Sequence, residues 1–180
     1  PELENINAIA REMGKTARVA FRINPNVDAR THAKITTGLN ENKFGLAIDD
    51  TIPAIRRAQA LSNIEFVGLH FHIGSQITDL TPFSELCTCI NELQVQLEEA
   101  GITVPTLNVG GGLGVNYEQP DADAIPNFAA YFTIFKQELQ LREGQSVHFE
   151  LGRSIVAQCG SLISRVLYVK EGQVKRFVIV

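Results

Sequence analysis

Asn108-Val109-Gly110-Gly111-Gly112-Leu113-Gly114 is the stretch that decides the fold, because it carries three consecutive glycines and directly follows the short apolar run Pro105-Thr106-Leu107. Adjacent glycines weaken a strand interior, so they belong where backbone passes very close to something else. Free N–H groups at the C-terminal end of a strand also make a cradle for an anion such as phosphate. The spacing excludes G-x-G-x-x-G, since Val115 stands where its last glycine would fall. It also excludes G-x-x-x-x-G-K-[ST], since no Lys-Ser or Lys-Thr follows. A tight strand-to-helix turn and a phosphate cradle both stay open. The ends of the neighbouring strands arbitrate between them.

Outward from the glycines, strand and helix patterns alternate. Leu3, Ile6, Ile9, Ala10 and Met13 recur at helical spacing, with Gly14 as C-cap. Residues 17–24 have strand character and stop at Asn24-Pro25-Asn26. Residues 27–43 are a polar stretch without periodicity, and loops of that length are functional or mobile. Asp49 and Asp50 open a helix carrying Ile52, Ile55, Ala58 and Leu61 on one face. Residues 65–73 form a second strand and Gly74-Ser75-Gln76 a loop, and Thr81-Pro82 caps a helix to residue 100. The third strand is 106–109, a helix spans 128–141, and the fourth strand is 147–150. This order predicts an α/β fold with a parallel sheet, part of a (β/α)8 barrel, over residues 1–154. Beyond Arg153, residues 155–170 and 175–180 have the pattern of long antiparallel strands joined at Glu171-Gly172-Gln173. Residues 155–180 are therefore expected to begin a C-terminal β-domain.

The totals narrow the function classes. At 180 residues, 44% hydrophobic and 20% charged, this is the composition of an ordinary globular protein. A net charge of −4 without a basic cluster argues against nucleic-acid partners. No apolar run approaches the ~18 residues of a membrane span. The acidic opening Pro1-Glu2-Leu3-Glu4 is unlike a secretory leader, and a cytoplasmic location is expected. Cys87 and Cys89 point to different faces of a helix, and Cys159 sits in an apolar stretch. Buried reduced thiols and no metal site are expected.

Strand alternation supplies the candidate site. Val67, Leu69 and Phe71 share one face of their strand, and Gly68, His70 and His72 the other. Val147 and Phe149 oppose His148 and Glu150; Val19, Phe21 and Ile23 oppose Ala20, Arg22 and Asn24. Helices must cover the apolar set, so the polar set faces the barrel interior, with Asn24, His72 and Glu150 at the C-terminal mouth where βα barrels place their sites. For His70 and His148 a satisfied core role stands beside a functional one. His72 beside Gly74-Ser75, and Glu150 beside Gly152-Arg153, point to function. The set suits a ligand with three features: a phosphate for the glycine amides and the Ser75 hydroxyl, a flat ring for His72, and a basic ring nitrogen for an ionised Glu150. Pyridoxal phosphate has all three. Arg153 suits an anionic group of substrate or cofactor.

The ordered segments 22–29 (Arg-Ile-Asn-Pro-Asn-Val-Asp-Ala), Thr36 and Gly38, Asn42-Lys43-Phe44-Gly45, 70–76 (His-Phe-His-Ile-Gly-Ser-Gln), the glycine run and 150–156 (Glu-Leu-Gly-Arg-Ser-Ile-Val) resemble one family. It is the diaminopimelate decarboxylase family of pyridoxal-phosphate decarboxylases with an alanine-racemase-like barrel. The resemblance covers nearly the whole chain. It implies a (β/α)8 barrel followed by a β-domain, a homodimer, and decarboxylation of meso-2,6-diaminoheptanedioate to L-lysine and CO2. It implies that His72 stacks on the cofactor ring and that Glu150 faces the ring nitrogen. Ser75 and the amides of Gly110, Gly111 and Gly112 would hold the phosphate, with Gly152 also at the cofactor. Arg153 would bind substrate, and Arg22 would join the network under the cofactor. Leu151 departs from the family's usual proline.

The family's Schiff-base lysine belongs to a stretch absent here, and Lys43 corresponds to a loop residue instead. A middle fragment, inactive alone, is the expectation. A sibling decarboxylase of ornithine, arginine or carboxynorspermidine is the nearest alternative. A non-catalytic cofactor-binding barrel is opposed by Glu150. A phosphate-binding barrel enzyme without pyridoxal is opposed by His72.

Overall fold

The computed structural model describes residues 1–28, 44–120, 122 and 126–180. The expected loop over 27–43 therefore lies almost wholly outside the described residues, as do Ala29, Thr36, Gly38, Asn42 and Lys43 of the resemblance. Four strands form one parallel sheet in the order β1-β2-β3-β4: β1 (Ala17–Ile23), β2 (Ile64–Phe71), β3 (Thr106–Asn108) and β4 (Ser146–His148). Helices α1 (Glu2–Glu12), α2 (Thr51–Gln59), α3 (Thr81–Glu99) and α4 (Phe128–Glu138) alternate with them. Strands that are neighbours in sequence are neighbours in the sheet, which is the arrangement of consecutive βα units in a barrel wall.

The longest helix, α3, shows why the sequence folds this way. Phe83, Leu86, Cys87, Ile90, Leu93 and Leu97 recur three or four residues apart and are all buried. Each large apolar side chain in that stripe contributes ~1.5–3 kcal/mol by leaving water. The Asp79 carboxylate caps the helix by accepting from the Thr81 N–H at 3.0 Å and the Thr81 hydroxyl at 2.7 Å, with Pro82 in the first turn. Asn127 caps α4 by accepting from the Ala130 N–H at 3.0 Å. Tyr131, Phe132 and Phe135 of α4 pack edge-on or tilted against Phe149, so Val147 and Phe149 face the helices as expected.

One alternation is interrupted. Val19 pairs with Phe66 but Ala20 pairs with Gly68, so Val67 is an extra residue in a β-bulge. Phe66, not Val67, packs against the core with Leu69 and Phe71, and its ring stacks on Phe21 at 6.0 Å. Past the bulge the expected faces hold.

The C-terminal region departs most from expectation. Residues 155–170 are not one strand: α5 (Arg153–Val156) comes first, then irregular chain, then the antiparallel pair β5 (Tyr168–Glu171) and β6 (Arg176–Ile179). The Gly152 carbonyl accepts from both the Ile155 and Val156 N–H groups, which commits the chain to a helical turn where a strand was expected. Between 157 and 166 no strand among the described residues offers a ladder, and Leu162 is 97% exposed. Cys159 is exposed rather than buried for the same reason, whereas Cys87 is buried and its thiol is pushed up to about 12 by desolvation. Among the described residues no helix is long and apolar enough to cross a membrane, and no cluster of three His, Cys, Asp or Glu could hold a metal.

Candidate functional site

Register builds the site. Arg22 pairs with His70, His70 with Asn108 and Asn108 with His148, so four polar residues form a row across the sheet on the face away from the helices. Two residues further along their chains, His72, Gly110 and Glu150 form the next row, at the C-terminal rim. The structure brings them together there. Asn24, two residues beyond Arg22, is buried, its side-chain oxygen accepting from the Asn26 N–H at 3.0 Å.

Glu150 stands two residues beyond β4, held by its own N–H to the Gly110 carbonyl at 2.7 Å. The Asn108 Nδ2 donates to its Oε1 at 2.8 Å, and His70 Nε2 lies 3.5 Å from its Oε2. The hydrogen bond from Asn108 first, then the nearby His70, hold the carboxyl below its ordinary value of 4.5, so it is ionised at neutral pH. The sequence suggested a buried carboxylate; instead the side chain is 52% exposed, because the inner face of a four-stranded arc is open. His148 is exposed for the same reason. Burial lowers the pKa of both His70 and His72 from 6.5, and the Arg22 guanidinium adds to this at each. Both imidazoles are neutral at pH 7. Arg22 lies over the Phe44 ring, 5.2 Å from its centroid, and burial is the main force lowering its pKa.

The glycines interlock three backbones. A Cβ on Gly110, where φ is +71°, would stand 3.0 Å from His72 Nδ1 and overlap the Phe71 carbonyl. On Gly111 it would overlap the Glu150 carbonyl, and on Gly112 it would stand 2.6 Å from the Gly74 carbonyl oxygen. Close approach alone thus accounts for the glycines. The amides decide whether a cradle remains. The Gly110 N–H is spent on the Asn108 Oδ1 at 2.9 Å, and that of Gly152 on the Glu150 carbonyl at 3.0 Å. The Gly111 N–H reaches His72 Nδ1 only at 3.5 Å, and no described residue accepts from Gly112. The Gly112 N–H is left without an acceptor among the described residues, beside a Gly111 N–H held only by that long contact.

A guanidinium and a hydroxyl meet at the same rim. Arg153 donates to the Ser75 Oγ from Nε at 3.3 Å and from Nη2 at 3.1 Å, and to the Tyr117 hydroxyl from Nη1 at 2.6 Å. The guanidinium carbon lies 5.7 Å from the centre of the Tyr117 ring. A cleft of about 750 Å³ opens beside Tyr117, lined also by Gln76, Gly114 and Gln158. Asn108 and Tyr117 are the residues that sequence reasoning missed. Asn108 carried a signal, since asparagine is disfavoured in strands and this one shares a face with His70. Tyr117 carried none, lying in a polar loop without periodicity.

The C-terminal rim of a parallel βα sheet thus gathers an ionised carboxylate, a neutral imidazole, loop amides and an arginine–serine pair. Residues 1–157 match the family described as pyridoxal-dependent decarboxylase, pyridoxal binding domain, and the chain belongs to that family. Its relatives include a diaminopimelate decarboxylase of Bacteroides thetaiotaomicron, 55% identical over 179 residues, covering 99% of this chain and 46% of that protein. A diaminopimelate decarboxylase of Methanocaldococcus jannaschii is 43% identical over 189 residues, covering 99% of this chain and 42% of that one. Among solved structures, the diaminopimelate decarboxylase of Helicobacter pylori complexed with L-lysine superposes with a TM-score of 0.85 at 41% identity, covering 98% of this chain and 43% of that one. The chain thus spans less than half the length of these relatives.

Proposed function

We propose that this chain forms the cofactor-binding wall of a pyridoxal-phosphate-dependent decarboxylase that converts meso-2,6-diaminoheptanedioate to L-lysine and CO2. The observation that carries this is the meeting of His72, Glu150, the Gly111 and Gly112 amides and the Ser75–Arg153 pair on one rim. When bound, pyridoxal phosphate supplies an electron sink for the pair left by departing CO2. The neutral imidazole of His72 offers a flat face against its ring without adding a charge. Glu150, ionised and aimed by Asn108, holds the proton at the ring nitrogen, which a neutral partner could not do. Gly111, Gly112, Ser75 and Arg153 bind the phosphate, Gly110 and Gly152 shape the loops around it, and Arg22 sets the field beneath. Arg153 has a second role open to it, at a substrate carboxylate, by bidentate contact.

The relatives' shared substrate supports diaminopimelate over the sibling amino acids. Residues 155–180 begin the β-domain, and a cytoplasmic homodimer completes the enzyme. The test uses a protein of the relatives' full length that contains this sequence. CO2 release is measured from diaminopimelate, ornithine and arginine in parallel. Release from diaminopimelate is expected; release from ornithine or arginine instead moves the chain to a sibling activity, and release from none overturns the proposal.

A further inference from the structure

We propose that Asn108 is a positioning residue, which aims the Glu150 carboxylate by locking it to the glycine loop through a single carboxamide. This rests on the pyridoxal-phosphate reading of the rim and adds a residue to it. A carboxamide has one oxygen that accepts and one nitrogen that donates. The Gly110 N–H takes the oxygen at 2.9 Å, so the nitrogen must turn to the Glu150 Oε1, which it meets at 2.8 Å. The orientation is forced rather than chosen. Asn108 also stands mid-row, paired with His70 on one side and His148 on the other, so its own backbone is fixed by two ladders.

Glu150 needs such a guide. It lies past the end of β4 with its side chain half exposed, and His70 at 3.5 Å competes for its other oxygen. The groups that face it are Asn108 from β3, His70 from β2, His72 just past the end of β2, and Arg22 from β1. The Asn108 N–H meets Glu150 at 2.8 Å whereas His70 Nε2 stands at 3.5 Å, so Asn108 is the donor that sets the carboxylate's direction. Aspartate at 108 would keep the acceptor for Gly110 yet turn a second carboxylate on Glu150. Alanine would remove both contacts.

The test is a pH titration of the Glu150 side-chain carbon by 13C NMR, in the cofactor-free 180-residue chain. The parent titrates below the ordinary carboxylate range. In N108A the midpoint rises into that range. If N108A does not fold, N108D gives the same reading, with a rise because two facing carboxylates cannot both ionise freely. The double variant N108D/E150Q restores one donor and one acceptor with their direction reversed, and recovers the melting temperature lost in N108D. An unmoved Glu150 midpoint in N108A or N108D, or no recovery in the double variant, overturns the proposal. Because these readouts need no cofactor, a parent chain that fails to bind pyridoxal phosphate would sink the functional reading and leave this result standing.

Discussion

Replacing Gly111 with alanine tests the interlocked rim most severely. The added Cβ would overlap the Glu150 carbonyl oxygen and stand 2.8 Å from the carbonyl carbon. Both are backbone atoms, so no rotamer change relieves the contact. The loop and the end of β4 must separate, which strains the Glu150 N–H to Gly110 bond of 2.7 Å. Overpacking against backbone costs ~1–3 kcal/mol, and losing the bond about 1 kcal/mol more, for a sum of about 2–4 kcal/mol. With a urea m-value of ~2 kcal/mol/M, the unfolding midpoint falls by about 1–2 M. Gly152→Ala is the matched control. Nothing lies within 4 Å of its Cβ position and its φ is −78°, so stability changes by no more than about 0.5 kcal/mol. The assay is urea unfolding followed by circular dichroism, with pyridoxal phosphate affinity measured on the same samples. G111A must lose both stability and affinity while G152A keeps its stability. Equal midpoints for the two variants would refute the interlock.

Three further outcomes follow from the same geometry. Glu150→Gln retains the cofactor, since Asn108 can still donate to the amide oxygen, but turnover in the full-length enzyme drops by at least ten-fold; an unchanged kcat removes Glu150 from the mechanism. Stability rises with pH through the histidine range. His70 and His72 bind a proton less readily when folded than their ordinary 6.5, so the unfolded chain takes up more protons just below that value. Their stabilisation is complete above about pH 6.5 and declines as pH falls below it, which urea midpoints between pH 7.5 and 5 will record; a flat profile would contradict the burial of both imidazoles. Tyr131→Phe leaves the core intact and raises stability by about 1 kcal/mol, because the buried Tyr131 hydroxyl has no hydrogen-bond partner among the described residues; a loss in calorimetry would show that the hydroxyl is satisfied.

The barrel wall was legible because each strand carries its own two-residue code. His70 and His72 against Leu69 and Phe71, or His148 and Glu150 against Val147 and Phe149, define a covered face and an open one before any coordinate is known. Parallel pairing then does the rest, since register stacks those residues into rows. What single-strand patterns do not contain is the relation between strands. The bulge at Val67 comes from how β1 meets β2, and it put Phe66 rather than Val67 on the core. Asn108 acquires its meaning from Gly110 and from Glu150, 42 residues away. Arg153 is tied to Ser75 across 78 residues and to Tyr117 across 36, separations that no local pattern encodes. The segment after Arg153 shows the opposite failure. Its apolar residues have strand propensity, but a strand needs a neighbour, and only 168–171 and 176–179 find one in each other.

The central claim is that one rim collects a ring-stacking imidazole, a carboxylate and an anion cradle for pyridoxal phosphate. The most direct measurement is to titrate pyridoxal phosphate into 15N-labelled chain and record which backbone amides shift. Gly111, Gly112, Ser75, His72 and Arg153 are expected to move together with one dissociation constant. The loops at Gly101 and Gly144, at the opposite end of the strands, stay still. Shifts confined to those far loops, or scattered without saturation, would contradict it.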